Sequence, residues 1–188
     1  MPDVGRREAA RVRPAALADA RRIAAIHDRA WRHAYAGLLP DEVVDSRDAR
    51  EFAEDVMRAM TARDDSRSYL VVEGGRGSVR KLAGFAVLGP APDASLDGLD
   101  SRANPAGELF MIYVDPRWMG RGYGHALHGA VLAEAARAGF ASLVLWVLPL
   151  NRRARAFYAA HGWTCDEAER IEHVGEFRVP EIRYVRDV

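Results

Sequence analysis

The sequence predicts a mixed α/β (α+β) fold in which a mostly antiparallel sheet is flanked by helices. The chain has 188 residues, a length typical of a single domain. Helical periodicity dominates its first third, a hairpin pattern spans about residues 68–88, and apolar runs alternate with helical patterns from residue 108 onward. This alternation is typical of one sheet with helices packed on it. We therefore expect a single domain over residues 1–188, with its core at about residues 10–186.

The N-terminal third is predicted to contain one short strand and two helices. Residues 10–13 form the candidate strand, which Pro14 ends. From Leu17 to Trp31 apolar residues recur at helical spacing, and this helix is expected to end before Pro40. The pattern then predicts one second helix, whose apolar stripe consists of Val43, Val44, Phe52, Val56, Met57 and Met60.

The middle of the chain is predicted to form strands. Two of them, at about residues 68–73 and 81–88, flank a glycine-rich hairpin turn. A long polar loop separates this hairpin from "ELFMIYV" at residues 108–114, which is a nearly continuous apolar run. Such a run is typical of a central strand that is covered on both faces.

The C-terminal part is predicted as helix, strand, helix and a final pair of antiparallel strands. The run "SLVLWVL" predicts the buried strand, and Asn151 is a residue type that caps a helix N-terminus. The first helix is expected to end before Gly139. Its apolar stripe is spaced by four and consists of Tyr123, Leu127, Val131 and Ala135.

The composition argues against several kinds of protein. Lys and Arg together number 27 and so do Asp and Glu, so the net charge is zero and no basic excess indicates a nucleic-acid partner. Cys165 is the only cysteine, so neither an intrachain disulfide nor a cysteine-based zinc site is possible. The N-terminus is polar and no apolar run reaches the roughly 18 residues of a membrane span, which predicts a cytoplasmic protein without a membrane partner.

The stretch "DPRWMGRGYGHAL" at residues 115–127 places Gly120, Gly122 and Gly124 on alternate positions between a predicted strand and a predicted helix. The first N–H groups of a helix lack intrahelical acceptors, and together with the helix dipole they attract anions. Glycine lets a phosphate approach that backbone closely, and Arg117 and Arg121 add positive charge. The turn therefore predicts a pyrophosphate site.

Two other glycine-rich phosphate motifs fit this turn poorly. A P-loop requires Lys and Ser or Thr after its last glycine, and "GYGHA" has neither. The dinucleotide fingerprint has the spacing G-x-G-x-x-G and an acidic residue about 20 positions later, whereas this turn is G-x-G-x-G followed by the apolar "LVLWV". A glycine-rich turn that binds no ligand is the remaining alternative.

Two motifs occur in order, with the predicted strand "LVLWV" between them. In the first, Gly122 and Gly124 match the small residues of the pattern Gln/Arg-x-x-Gly-x-Gly/Ala, while Met119 stands where Gln or Arg is usual. The second, N-x-x-A-x-x-F-Y-x-x-x-G-F/W, is matched by Asn151, Ala154, Phe157, Tyr158, Gly162 and Trp163. With the early stretch "AWRHAYAGLLP", they make the chain similar, over about residues 10–186, to the GNAT superfamily of acyl-CoA-dependent N-acetyltransferases.

The resemblance implies a sheet whose fourth and fifth strands, central and parallel, splay apart to admit the acyl group. It also implies acetyl-CoA as the co-substrate and no metal. The pantetheine arm is expected to pair, like an added strand, with Ile112, Tyr113 and Val114, and Asn151 is expected to contact the cofactor from the opposite wall. The pyrophosphate is expected on the N–H groups of Met119, Gly120, Arg121, Gly122, Tyr123 and Gly124.

Acetyl transfer to an amine requires a base, a donor that stabilises the developing oxyanion, and an acid for the leaving thiolate. Glu108 is the candidate base, because it is expected on the same side as Phe110, Ile112 and Val114, where partial burial raises its pKa. The alternative is a solvated glutamate at a strand end. Tyr158 is the candidate acid, or else a core aromatic, and the strand N–H near Val114 is the candidate oxyanion donor.

The acceptor pocket is less well defined by the sequence. Trp31 and Tyr35 lie one helical turn apart and are the candidate substrate residues, with an aromatic core pair as the alternative. His125 and His128 share a helix face, but no nearby cysteine or carboxylate completes a metal site. The long loop carries acidic residues that either attract a cationic amine or are simply solvated, namely Asp93, Asp97 and Asp100.

The leading hypothesis is an N-acetyltransferase that moves an acetyl group from acetyl-CoA to a primary amine by direct attack in a ternary complex. The acceptor is expected to be a small molecule or a peptide amine. Two alternatives stay open: a non-catalytic acyl-CoA-binding sensor domain, and a nucleotide-binding regulatory domain that uses the same turn for another phosphate. Exposed strand edges near the C-terminus also predict a homodimer.

Overall fold

The computed structural model describes residues 10–46, 48–62, 66–75, 80–96 and 105–188. Within these ranges, no helix is long and apolar enough to cross a membrane. The helices are α1 (Ala20–Tyr35), α2 (Asp41–Asp45), α3 (Ala49–Thr61), α4 (Tyr123–Ala138) and α5 (Arg152–Ala160). The strands are β1 (Arg11–Pro14), β2 (Ser68–Gly74), β3 (Lys81–Pro90), β4 (Ala106–Val114), β5 (Ser142–Val147), β6 (Thr164–Val174) and β7 (Phe177–Asp187).

The strands form one seven-stranded sheet in the order β1-β2-β3-β4-β5-β7-β6. The pair β4 and β5 is parallel, and the other five neighbouring pairs are antiparallel. The prediction of a mixed, mostly antiparallel sheet is therefore confirmed. The last strand, β7, lies between β5 and β6, so β6 forms one edge of the sheet.

Helices cover both faces of the sheet. On one face α4 packs its four-residue stripe against β2, β3 and β4, and every member of that stripe is at most 2% exposed. On the opposite face α1 and α3 pack against β2 and β3 through a second apolar core that includes Ile23, Val56 and Phe85. Each helix thus contributes one apolar stripe to a core, as the period of its sequence predicts.

The prediction of a single second helix is wrong, because the apolar stripe is divided between α2 and α3. The Asp48 side chain accepts hydrogen bonds from the backbone N–H groups of Arg50 and Glu51, at 2.6 and 3.4 Å. This cap starts a new helix at Ala49 and satisfies two N–H groups that have no intrahelical acceptor. The new start redirects the chain, so that α3 packs beside α1.

The prediction that β4 is covered on both faces holds for only part of the strand. Residues 107–109 are buried, whereas residues 110–114 are half-buried. The pairing between β4 and β5 ends at Glu108 and Val144, although both strands continue beyond that point. The central parallel strands therefore splay apart as predicted, and the second half of β4 faces the opening between them.

A β-bulge at Phe110 interrupts the alternation of β4. Val87 of β3 pairs with Met111 and Leu88 pairs with Leu109, which leaves Phe110 as an extra residue in β4. Leu109 packs on the α4 side of the sheet, whereas Phe110 and Met111 both pack on the α1 side. Two successive residues on one face are the signature of a bulge.

The bulge corrects the predicted orientation of Glu108. Ile112 and Val114 pack on the α4 side of the sheet, and Tyr113 packs on the α1 side. Because one extra residue inverts the alternation, Glu108 lies on the α1 side. It shares that side with Phe110, as predicted, but not with Ile112 and Val114. A period of two, counted back from Ile112 without the bulge, assigns the wrong face to Phe110 and to every strand residue before it.

His128 joins α4 to the segment that precedes β6. The indole Nε1–H of Trp163 donates to Nε2 of His128 at 2.9 Å, and each side chain is 3% exposed. Indole can only donate, so the bond requires that Nε2 of His128 carry no proton. Burial, together with the nearby charges of His161 and Arg186, lowers the pKa of His128 to about 4.

A His128→Gln variant tests this neutral state. Glutamine keeps an oxygen acceptor for the Trp163 N–H but does not titrate. Above pH 6.5 His128 is neutral in both the folded and the unfolded state, and the fold keeps its full stability. As the pH falls from 6.5 towards 4, the unfolded state takes up a proton that the folded state does not, so the free energy of unfolding decreases. Between pH 7 and pH 4 the free energy of unfolding should fall by about 3 kcal/mol more in the native protein than in the variant.

Urea unfolding at the two pH values measures this difference. The exposed His173 provides the control, since His173→Gln should lose as much stability as the native protein. An equal loss in the native protein and in His128→Gln would show that His128 takes up its proton in the folded state without a penalty.

Candidate active site

A cavity of about 1020 Å³ opens where β4 and β5 separate. Its walls come from α1, the second half of β4, the glycine turn, α5 and the β6–β7 hairpin. Arg121 is the one predicted site residue that does not line it. The residues it brings together are Trp31, Tyr35, Glu108, Ile112, Tyr113, Val114, Met119, Gly120, Gly122, Tyr123, Gly124, Asn151 and Tyr158.

The glycine turn leads directly into α4 and presents backbone donors to the cavity. Gly120 and Gly122 have φ angles of +74° and +88°, a left-handed conformation that side chains other than glycine rarely adopt. The first helical hydrogen bond runs from the N–H of Ala126 to the carbonyl of Gly122. The preceding N–H groups, including those of Tyr123 and Gly124, therefore have no intrahelical acceptor and are available to an anion.

The donor at Met119 differs from those that follow it. Its N–H donates to the carbonyl of Pro116 at 3.3 Å, within the short 3₁₀ turn that precedes the glycines. The donors available from the turn are therefore concentrated at residues 120–124. The Met119 side chain still lines the cavity.

Asp115 anchors the turn. It is fully buried at the end of β4 and accepts hydrogen bonds from the guanidinium groups of Arg29 and Arg117, with shortest distances of 2.7 and 2.6 Å. Its Oδ1 also accepts from the backbone N–H of Arg117 at 3.1 Å. Burial opposes the charged form, but these hydrogen bonds outweigh it and lower the pKa of Asp115. Asp115 thus ties the turn to α1, which carries Arg29.

The positive charge beside the turn is less available than the sequence predicts. Arg117 is engaged by Asp115. The guanidinium of Arg121 lies 5.1 Å from the centroid of the Trp118 ring, in cation–π geometry. The anion site therefore depends chiefly on backbone N–H groups and less on these two arginines.

Glu108 lies at the vertex of the opening and is 4% exposed. The Ser95 hydroxyl donates to its Oε2 at 2.5 Å, and Nη1 of Arg170 lies 4.0 Å from its Oε1. Burial raises the pKa of Glu108, while the Ser95 hydrogen bond and the Arg170 charge oppose that rise. The expected raised pKa is confirmed, and its catalytic role stays a prediction.

Asn151 and Tyr158 occupy the two ends of α5. Oδ1 of Asn151 accepts from the N–H of Ala154 at 3.1 Å, which confirms the predicted cap. The Tyr158 side chain is half-buried, and burial raises the pKa of its phenol. Tyr158 lines the cavity, and within the described ranges nothing is hydrogen-bonded to its hydroxyl.

Trp31 and Tyr35 form an aromatic pair on the α1 wall, with ring centroids 4.2 Å apart. Trp31 is 7% exposed and Tyr35 is half-buried, so the pair contributes to the core and to the cavity at once. The acidic loop is only partly described: Asp93 is exposed, whereas Asp97 and Asp100 lie outside the described residues.

Sequence reasoning missed the side chains that hold the site in place. Ser95 contacts Glu108 from 13 positions away, and Arg29 contacts Asp115 from 86 positions away. The role of Asp115 could have been predicted from the sequence, because an Asp directly before a Pro is a common start of a capped turn. The roles of Ser95 and Arg29 could not, since they depend on how distant segments pack.

Comparison with known proteins identifies the family. The sequence profile that describes the acetyltransferase (GNAT) family matches residues 23–163, which include the glycine turn and all the predicted site residues. The chain belongs to the GNAT family. As a GNAT enzyme, it is an acyltransferase that depends on acetyl-CoA. A protein of Bacillus subtilis (strain 168), the uncharacterized N-acetyltransferase YuaI, is 31% identical over 150 residues, or 80% of this chain and 78% of that protein.

Solved structures share the GNAT fold. PaiA N-acetyltransferase from Thermoplasma acidophilum, in complex with coenzyme A, superposes with a TM-score of 0.73 at 15% identity, covering 96% of this chain and 99% of that one. YncA from Salmonella typhimurium, with its cofactor acetyl-CoA, superposes with a TM-score of 0.65 at 19% identity, covering 95% and 94% of the two chains. At these identities the likeness concerns the fold.

The Asp115→Asn variant tests the anchoring of the turn. The amide cannot hold both guanidinium groups as the carboxylate does, so the donors of the turn become less well ordered. Affinity for coenzyme A should fall by roughly tenfold, the equivalent of one charge-assisted hydrogen bond. Isothermal titration calorimetry with coenzyme A measures this change.

Asp19→Asn is the matched control. Asp19 is 4% exposed and accepts from Arg13 at 2.7 Å, and it does not line the cavity. Both variants should unfold more easily than the native protein, but only Asp115→Asn should bind coenzyme A more weakly. Equal affinities in the two variants would rule out a role for Asp115 in shaping the turn.

Proposed function

We propose that this GNAT protein transfers the acetyl group of acetyl-CoA to a primary amine by direct attack in a ternary complex. One observation carries the proposal. A buried carboxylate with a raised pKa, Glu108, and a phenol without an internal partner, Tyr158, line the same cavity as the backbone donors of α4. A base, an acid and an anion site thus open onto one space.

Three parts of the cavity wall are suited to acetyl-CoA. Backbone N–H groups at residues 120–124 are suited to the pyrophosphate. The edge of β4 at Ile112, Tyr113 and Val114 has no neighbour in β5, so it is suited to pairing with the pantetheine amides. Asn151, whose oxygen caps α5, is placed to offer its amide N–H₂ group. The bound co-substrate supplies the acetyl group as a thioester, and this scheme requires no metal.

Glu108 is suited to accept the proton of the amine. An amine is mostly protonated near neutral pH, so a group within the site must remove a proton before nitrogen can attack. The raised pKa of Glu108 brings its proton affinity closer to neutrality than that of a solvated glutamate. Its place at the vertex of β4 and β5 puts this oxygen base beside the space where the strands part.

Tyr158 and the backbone near Val114 are suited to the developing negative charges. The raised pKa keeps the Tyr158 phenol protonated at neutral pH, so it can donate to the departing sulfur. A strand N–H near Val114 can donate to the thioester oxygen, since no strand covers that edge. Trp31 and Tyr35 form an aromatic wall that is suited to a small-molecule or peptide amine.

The first test is a calorimetric titration with acetyl-CoA, followed by measurement of free-thiol release against a panel of small-molecule and peptide amines. Binding together with amine-dependent thiol release supports the proposal. Binding without release across the panel favours a sensor domain or an acceptor that the panel lacks. Tighter binding of ATP or NAD than of acetyl-CoA favours a nucleotide-binding domain and would overturn the proposed function.

Glu108→Gln should lower kcat by roughly 100-fold or more, because the amide cannot accept the amine proton. The Kd for acetyl-CoA should be nearly unchanged. In the native protein, kcat/KM should fall as the pH drops through a value above the ordinary 4.5, since Glu108 must be deprotonated to act. In the Glu108→Gln variant this fall of kcat/KM at low pH should be absent.

The control is Glu134→Gln, which alters a glutamate outside the cavity and should change neither kcat nor the Kd for acetyl-CoA.

Tyr158→Phe should lower kcat by roughly 10-fold to 100-fold without weakening acetyl-CoA binding, because the thiolate loses its proton donor. Tyr184→Phe is the control, since it removes a buried phenol oxygen outside the cavity. Stopped-flow measurement of thiol release compares the two. An unchanged rate in Tyr158→Phe would reduce Tyr158 to a packing residue.

A further inference from the structure

Ser95 meets the candidate base from outside the cavity wall. It ends a short 3₁₀ turn, Asp93–Ser95, between β3 and β4, and it is 1% exposed. Its hydroxyl oxygen contacts three groups: Oε2 of Glu108 at 2.5 Å, Nε1 of Trp146 at 3.3 Å and Nη1 of Arg170 at 3.5 Å. This buried serine is absent from the motifs of the sequence.

The chemistry of these partners determines where the single Ser95 proton points. A hydroxyl has one proton to donate and two lone pairs to accept with. The indole of Trp146 and the guanidinium of Arg170 can only donate, so the Ser95 oxygen must accept from both. The Ser95 proton is then left for Oε2 of Glu108.

The position of Ser95 is itself held from the opposite side. Its backbone carbonyl accepts from Nη1 of Arg183 at 2.9 Å, and Arg183 is 3% exposed. Nε and Nη2 of Arg183 also bond to Oδ2 of Asp166, at 2.8 and 2.7 Å. The backbone of this serine is therefore held in place beside Glu108.

The two oxygens of Glu108 are consequently not equivalent. Oε2 accepts the Ser95 proton, whereas Oε1 has no hydrogen-bond partner within the described ranges and lies 4.0 Å from Arg170. The Ser95 hydrogen bond engages one lone pair of Oε2 and stabilises negative charge on that oxygen, which makes it the less basic of the two. Oε1 keeps both of its lone pairs without a hydrogen bond in the described ranges, so it is the oxygen better able to take up a proton.

We propose that Ser95 is a positioning residue that directs proton uptake by Glu108 to Oε1. This rests on the proposed role of Glu108 as the base. An N–H bond of the ammonium breaks, its electron pair stays on nitrogen, and an O–H bond forms at Oε1. Ser95 keeps its own proton throughout and touches neither the amine nor the thioester.

The direct test is a titration of Glu108 in the full-length protein, without any acceptor. Glutamate labelled with carbon-13 at the side-chain carboxyl gives one NMR signal per residue, and the signal that Glu108→Gln lacks is that of Glu108. Because the Ser95 hydrogen bond stabilises the charged form, Ser95→Ala should move the Glu108 midpoint upward by roughly one to two pH units. Ser95→Thr, which keeps a hydroxyl, should return the midpoint towards the native value.

A matched control separates this effect from a general loss of packing. Ser68 donates to Oε1 of Glu134 at 2.5 Å, the same bond at the same length outside the cavity. Ser68→Ala should leave the Glu108 midpoint unchanged. Should Ser95→Ala fail to fold, Ser95→Cys offers a weaker donor, and its midpoint should move in the same direction by less.

An unchanged Glu108 midpoint in Ser95→Ala, or in Ser95→Cys where that variant replaces it, would overturn the proposal. The proposed base role is judged separately, by the turnover of Glu108→Gln. A shifted midpoint with normal turnover in Glu108→Gln would show that Ser95 controls a carboxylate that is not the base, and the proposal would fall with the proposed function.

Discussion

The separation of β4 from β5 after Glu108 is the constraint on which the rest of the structure depends. The two strands share three residue pairs, from Ala106 and Ser142 to Glu108 and Val144. Their other edges stay paired, β4 with β3 and β5 with β7, so the opening leaves only the two facing edges without a partner. The bulge at Phe110 adds local twist to β4 just beyond the last shared pair. The opening therefore costs few hydrogen bonds, and it exposes backbone groups that an extended ligand can use.

Two buried carboxylates behave in opposite ways because of their neighbours. Asp115 accepts from two guanidinium groups and one backbone N–H, so its pKa falls and it is a permanent anion. Glu108 accepts from one hydroxyl and has its nearest guanidinium at 4.0 Å, so burial dominates and its pKa rises. Burial alone does not decide which carboxylate can exchange a proton; the number of donors around it does. The first is suited to hold the glycine turn, and the second is suited to take and release a proton.

Features that repeat locally could be predicted from the sequence, and features that depend on distant contacts could not. The four-residue stripe of α4 and the Asn151 cap are encoded within a few neighbouring positions, and the structure confirms both. The new helix start at Asp48 and the bulge at Phe110 break a regular pattern, and a one-residue bulge is invisible until the register of β3 against β4 is known. The contact of Ser95 with Glu108 required the loop, β5, β6 and β7 to be placed together.

The same distinction separates the two ends of the cavity. The end beneath α4 offers backbone N–H groups, whose placement needs only glycine at positive φ, so a short motif reveals it. The other end uses side chains from α1, β5, β6 and β7, among them Tyr35, Trp146, Arg170 and Glu181. Arg170 lies over the Trp146 ring at 4.5 Å and is bonded to Glu181 at 2.8 Å. In the part of the chain that the structure describes, none of these four side chains contacts Asp115, so a substitution at one of them can reshape this end without removing the contacts that hold the glycine turn. The end beneath α4 can therefore be predicted from a short stretch of sequence, whereas the other end is defined only once distant elements have packed together.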